Sequence, residues 1–256
     1  MIAALGMYDR AETAPANDRL WALIRDALRD GGIAAPDALT RGDGAYWPAW
    51  QSPDLVLAQT CGLPLRAVLH RDVTLVGTPD YALDGCAPGH YRSVFVARAD
   101  DVRKTASDFA GARFAFNEGL SQSGWAAPKA WFDEHGLGLA PTMETGGHRA
   151  SARAVMDGRA DFAAIDAVTW WLITRYDDWS GGLQVIGTTG TSPALPFISA
   201  KGADPEPIFA ALSQAVAALS PEDRTTLHLR GVVRMSLESY LAVPVPAPPD
   251  QFAQAN

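Results

Sequence analysis

Two stretches of this chain bring small hydroxyls, glycines and expected helix starts together in a way that could hold an anion. The first is FAFNEGLSQSGWAAP, residues 114–128, where an apolar run leads through Ser-Gln-Ser-Gly into a helix. The hydroxyls of Ser121 and Ser123, with Gln122 between them, and the backbone N–H groups of a helix start converge there, and the helix dipole favours negative charge. Gly124 lets the backbone come close. The bland alternative is an N-cap, with Ser121 or Ser123 serving only the helix. Pro128 is awkward on either reading, since a proline past the first turn removes a helical hydrogen bond. The second stretch, TGGHRASARAVMDGRADFAAID at 145–166, puts Gly146, Gly147 and His148 directly before another helix. An imidazole N–H at that place can donate to an anion, although the positive helix end lowers its basicity; a lone histidine is otherwise a cap or a surface residue. Asp166 ends the next expected strand, where it could meet a ligand amine or hydroxyl or merely cap the following helix.

The elements that position these groups follow an α/β pattern. IAALGMY at 2–8 reads as a strand, and Asn17-Asp18 as the cap of an amphipathic helix through Leu20, Leu23, Ile24, Ala27 and Leu28. An extended piece near 38–41, then DLVLA at 54–58 and VTLVGT at 73–78, with a short helix around 63–69, continue a first sheet. After DGCAPGHY a second series begins with RSVFVAR and runs through ARFAFN, PTME, DFAAI and LQVIGT, with helices starting near Gly124, Arg149 and Ala167. ALPFIS at 194–199 leads back, and helices over 206–219 and 222–229 are expected to pack on the first series. Apolar strands alternating with helices predict two mostly parallel sheets covered on both faces. The expected division is residues 1–90 plus 200–245 as lobe one and 92–193 as an inserted lobe two, joined by two hinge crossings near 90 and 193. The Pro-rich tail at 246–256 is expected to be extended or disordered. The strand ends of lobe one carry Tyr8, Gln59 and Thr60, and Tyr91 lies at the crossover; these are expected to face Ser121, Ser123 and His148 across one cleft.

Composition excludes several functions. The net charge is −8 in 256 residues and no Lys/Arg run exists to neutralise a phosphate backbone, which argues against nucleic acid. No apolar stretch reaches the roughly 18–20 residues that span a bilayer, so the protein is not expected to be membrane-embedded. The opening MIAALGMYDR lacks the basic start and small-residue cleavage site of a leader. A periplasmic location is therefore expected if a leader was trimmed, and a cytoplasmic one if the chain natively starts at Met1. Cys61 and Cys86 match no zinc or redox spacing; they are either two unrelated thiols or a disulfide closing the loop between them. No metal site and no cofactor are expected. Neither a G-x-S-x-G motif, a Walker-type loop with Lys, nor HExxH occurs, so catalysis has no motif behind it.

Taken together, YRSVFVAR, FAFNEGLSQSGWAAP, GGHRASARAVMDGRADFAAID and TSPALPFIS resemble the phosphonate/phosphite-type substrate-binding proteins of ABC transporters, over about residues 54–220. The resemblance implies the two-lobed type II periplasmic-binding fold, a small oxyanion as ligand, an ABC permease as partner, a monomer, and no catalysis. It gives Ser121, Ser123 and His148 the phosphonate oxygens and turns Tyr91 toward the ligand, while Gln59 stands where an aromatic often stands. The positions at which aminophosphonate binders carry acids correspond to Val168 and Leu195, which argues against a ligand amine unless Asp166 substitutes. Two alternatives on the same scaffold are a cytoplasmic lyase resembling the chorismate dehydratases, with Asp166 or His148 as acid or base, and an effector-sensing module.

Overall fold

The computed structural model describes residues 1–249. They divide into two compact units: residues 1–90 with 193–243, and residues 91–192 with 244–249. In chain order the strands are β1 (Ile2–Ala4), β2 (Leu55–Gln59), β3 (Val73–Asp80), β4 (His90–Tyr91), β5 (Ser93–Arg98), β6 (Arg113–Phe116), β7 (Ala140–Glu144), β8 (Phe162–Asp166), β9 (Leu183–Thr188), β10 (Ser192–Pro193), β11 (Phe197–Ala200) and β12 (Gly231–Val233). The helices are α1 (Ala14–Asp30), α2 (Trp47–Trp50), α3 (Gly62–Pro64), α4 (Ala127–Glu134), α5 (His148–Met156), α6 (Ala167–Tyr176), α7 (Pro205–Ala218), α8 (Pro221–Thr226) and α9 (Leu237–Leu241). The segment 194–199, which the sequence left between the lobes, belongs to the first unit, as does residue 193, which was expected in lobe two.

The first unit is built on a sheet ordered β1-β2-β11-β3-β12. β1 and β2 are parallel, while β11 runs antiparallel to both β2 and β3, and β12 antiparallel to β3. Three of the five strands therefore share a direction. Helix α1 lays Leu20, Trp21, Ile24 and Leu28 on one buried stripe and packs against α7, the spacing of an amphipathic helix. It starts at Ala14, with Pro15 in its first turn, so Asn17 and Asp18 lie inside it and are not its cap. The reason is local: a proline is preorganised for the first turn, the Thr13 hydroxyl is spent on the Tyr8 carbonyl at 2.6 Å, and the Asn17 amide donates to Asp9 at 3.0 Å. The piece near 38–41 forms no strand; Thr40 N–H donates to the Ala3 carbonyl at 2.7 Å and the contact goes no further as a ladder. Cys61 and Cys86 do not form a disulfide. Cys61 is buried where the chain turns from β2 into α3, and Cys86 is half-buried in a turn closed by its own N–H to the Leu83 carbonyl.

The second unit has a sheet ordered β7-β6-β8-β5-β9. β6 is parallel to β7 and to β8, and β5 is antiparallel to both β8 and β9. Four strands thus run one way and only β5 opposes them, so the sheet is mixed with a parallel majority. Both faces are covered, which is why the strands read as unbroken apolar runs. Along β5 and β8 alternate residues part: Phe95, Ala97, Phe162 and Ala164 join an aromatic core with Phe109, Phe114 and Phe132, while Val94, Val96, Ala163 and Ile165 pack with Val155 and Ala152 of α5. Residues 244–249 take no helix or strand and group with this unit, where the Trp125 indole N–H donates to the Ala247 carbonyl at 2.9 Å. The rest of the expected tail, 250–256, lies outside the described residues.

Phe162 is the centre of the aromatic core, with ring centroids 4.9 Å from Phe114, 5.3 Å from Phe109 and 5.8 Å from Phe132. Phe162→Ala should lower stability by about 3–5 kcal/mol, the usual cost of emptying an aromatic site in a closed core. Guanidinium denaturation of the variant measures it; a loss below about 1 kcal/mol would show that the core collapses around the gap.

Candidate functional site

In the second unit, the parallel strands β6, β7, β8 and β9 end on the edge at which β5 begins, since Ser93 pairs with Asp166 and Phe116 with Glu144. The loops leaving that edge carry the site. After β6, Ser121 stands as the N-cap of a widened helical turn, Gln122–Ala126, that runs into α4. Its Oγ accepts the Gly124 N–H at 3.0 Å, so Ser121 does cap the helix, and its own hydrogen remains to be donated. The widened turn also accommodates Pro128. The Ala126 N–H reaches back five residues to the Ser121 carbonyl at 2.9 Å, and the proline's missing donor falls in the first turn of α4, where it costs little.

Ser123 Oγ and His148 Nε2 are hydrogen-bonded at 2.7 Å, which joins the two anion-type loops side chain to side chain. The Ser123 carbonyl accepts the Ser93 hydroxyl at 2.8 Å, and the Gln122 amide donates to the Ser192 hydroxyl at 3.3 Å. Ser121, Gln122 and Ser123 are all buried. After β7, Gly146 takes φ +78°, a left-handed turn that glycine adopts without strain, and Gly147 caps α5 with no side chain of its own. The Thr145 hydroxyl ties that loop to Ser151 at 2.7 Å. Asp166, also buried, accepts the Thr169 N–H at 2.8 Å and so caps α6. The Tyr91 ring is buried where the chain enters this unit.

In the first unit the remaining expected residues again gather at strand ends. Gln59, at the end of β2, donates from Nε2 to the Tyr81 hydroxyl at 2.7 Å and to the Leu195 carbonyl at 3.2 Å. Tyr81 meets Tyr8 edge to face, with centroids 5.5 Å apart. These three residues, with Asn17, Phe197 and leucines 5, 20, 227 and 229, line a cavity of about 30 Å³. Thr60 is buried; its N–H donates to the Pro196 carbonyl at 3.0 Å and its Oγ1 has no partner among the described residues. Among the described residues, no group of His, Cys, Asp and Glu could hold a metal ion, and no helix is long and apolar enough to cross a membrane.

This geometry has relatives. Residues 56–240 match the family described as the periplasmic phosphonate substrate-binding protein of ABC transporters. The chain belongs to that family. Its fold is that of two-lobed, type II periplasmic binding proteins. It is similar to PhnD1 of Prochlorococcus marinus, solved in complex with methylphosphonate, with a TM-score of 0.70 at 15% identity over 93% of this chain and 94% of that one. A binding-protein component of an ABC phosphonate transporter from Pseudomonas aeruginosa superposes with a TM-score of 0.69 at 15% identity, over 93% of this chain and 82% of that one. No curated protein sequence matches the chain.

Reading the sequence as a phosphonate binder missed Ser93, Ser192, Asn117 and Tyr81. Asn117 and Tyr81 are each the first residue after a strand in the structure, but the expected strands ARFAFN and VTLVGT ended elsewhere, so that signal was hidden. Ser93 and Ser192 sit at the ends of the unit; Ser93 meets the loop through the antiparallel path of β5, and Ser192 because β9 ends on the same edge as β6.

Burial lowers the His148 pKa from its ordinary 6.5 to about 4, against a weaker upward pull from the Ala164 carbonyl. The ring is partly exposed as a whole, while its Nδ1 is fully buried. In the same stretch, Glu118 is raised above the ordinary carboxylate range by burial and then by neighbouring Glu144. His148 is thus neutral at pH 7 in the fold. As pH falls, the unfolded chain takes up this proton first, near 6.5, and the folded chain only near 4. The His148 contribution is therefore present above pH 6.5 and is lost progressively between 6.5 and 4, up to about 3 kcal/mol. Chemical denaturation across that window should show wild type losing more stability than His148→Gln; equal slopes would place the ring in water.

Proposed function

We propose that the protein is the solute receptor of an ABC importer for a small tetrahedral oxyanion of the phosphonate class, working in the periplasm, and that Ser121, Ser123 and His148 hold the oxygens with neutral donors. The single observation that carries the reading is the Ser123–His148 hydrogen bond of 2.7 Å at the start of a helix that Ser121 caps. Two loops from different strands are brought to one point, and both present uncharged donors beside uncapped or newly capped helix starts, where an anion is stabilised by oriented dipoles.

The residues also favour a ligand without an amine. Val168 and Leu195 are buried and apolar, and the Asp166 carboxylate is engaged in capping α6. An ammonium group brought against Val168 or against Leu195 would lose its hydration to an apolar side chain. The lyase alternative is not favoured by the same geometry, because a general base works best with a pKa near the operating pH and His148 is pushed to about 4.

Calorimetric titration with phosphite, methylphosphonate, phosphate, 2-aminoethylphosphonate and methanesulfonate tests the proposal. Phosphite or methylphosphonate should bind tightest, and 2-aminoethylphosphonate at least about tenfold more weakly, the penalty of one unmatched charged group. The Ser121→Ala, Ser123→Ala double variant should lose at least about tenfold in affinity, since each hydrogen bond to a charged group is worth on the order of 1.5–3 kcal/mol. Unchanged affinity in that variant would leave both serines as caps alone.

A further inference from the structure

We infer that Asn117 is the positioning residue that sets the separation of the two anion-holding loops, and is thereby a determinant of oxyanion affinity. The inference rests on the proposed site. Asn117 is the first residue beyond β6, and its backbone and side chain act on different loops. Its carbonyl accepts the Gly146 N–H at 2.8 Å, next to the Phe116 carbonyl that accepts the Thr145 N–H at 2.9 Å and the Thr145 hydroxyl at 3.1 Å. The loop that carries His148 therefore hangs from residues 116 and 117.

The Asn117 side chain lies against the other loop. A Cβ added to Gly124 would stand 1.8 Å from Asn117 Oδ1, 2.9 Å from its Cγ and 3.3 Å from His148 Cε1. The carboxamide thus fills the place that a side chain at 124 would need, directly beside the imidazole. That explains the glycine in Ser-Gln-Ser-Gly without appeal to backbone strain: nothing larger fits above the amide. Oδ1 is buried and has no hydrogen-bond partner among the described residues. An unpaired buried acceptor is unfavourable, and β6 otherwise carries only apolar side chains after Arg113. A residue kept only for packing would be apolar too. A flat amide at this point fixes how near the Ser123 hydroxyl comes to His148, and a displacement of an ångström there spoils donor geometry for a small ligand.

The test uses the full chain with phosphite and methylphosphonate as probes, read by calorimetry, with the His148 titration followed by NMR. Asn117→Ala should bind each anion at least about tenfold more weakly while still unfolding cooperatively, and the His148 pKa should rise as water takes the place of the amide. Gly124→Ala should also weaken binding, because its methyl meets the amide. The pair Asn117→Ala, Gly124→Ala should bind more tightly than either single variant, since the new methyl occupies the vacated space. Asn117→Asp keeps the shape and puts a negative charge between the loops, so it should fold and lose affinity increasingly as pH rises. Wild-type affinity in Asn117→Ala or in Asn117→Asp, or losses that simply add in the pair, would overturn the inference. If the serine double variant also keeps its affinity, the proposed site itself fails; if it loses affinity while the Asn117 variants do not, only this inference fails.

Discussion

In a chain with a net charge of −8, a small anion can be held only where oriented dipoles are concentrated tightly enough to outweigh the surrounding field. On the proposed reading, that constraint organises the loops of the second unit. A helix start supplies a fraction of a positive charge, and only over its first turn, so two starts and several hydroxyls must share one small volume. The Ser123–His148 bond does this by drawing the loops after β6 and β7 together at 2.7 Å. The features around it support that approach: no side chain at Gly124, the left-handed turn at Gly146, and the Thr145–Ser151 tie.

The same constraint explains why His148 is better neutral. A permanent imidazolium at this place would need its charge desolvated, with Ser123 as its hydrogen-bonded side-chain partner and the positive end of α5 opposing it. Burial removes that problem by pushing the pKa to about 4, so the ring works as a hydroxyl-like partner and not as a counter-ion. On the proposed reading, charge would come to the site with the ligand, and Glu118, itself raised by burial, would add less repulsion than an ordinary glutamate.

Much of this was legible in the sequence because it is local. Ser-Gln-Ser-Gly before a helix and Gly-Gly-His before another are short-range patterns with a physical meaning, and the strand-helix alternation located both sheets and the two changes of series. What escaped was long-range. Nothing in SVFVAR or FISA says that β5 and β11 run against their neighbours, because an unbroken apolar run suits either direction when both faces are buried. The expected cap at Asn17-Asp18 failed for a different reason, since Pro15 starts the helix earlier and Asn17 has its own partner in Asp9. The two cysteines follow strands of one sheet, yet one is buried at the start of α3 and the other sits in a turn, and sequence spacing carries no information about that.

The antiparallel course of β5 has a consequence for the site as well as for the sheet. Because β5 starts at the edge where β8 and β9 end, the chain enters the second unit at Tyr91 beside the anion loops, and it leaves at Ser192 on the same edge. The bonds there are specific: the Ser93 hydroxyl donates to the Ser123 carbonyl, the Ser93 N–H to Thr189 Oγ1 at 3.0 Å, and the Gln122 amide to Ser192. Ser123, proposed above as a donor to the ligand, therefore has its own carbonyl tied to the incoming segment, and its neighbour Gln122 is tied to the outgoing one. With a parallel β5 the chain would have entered at the far edge of the sheet, away from that loop, while the exit at Ser192 depends on β9, which runs in the direction of β6. The one reversed strand is thus what brings Ser93, at the entry to the unit, to the Ser123 carbonyl.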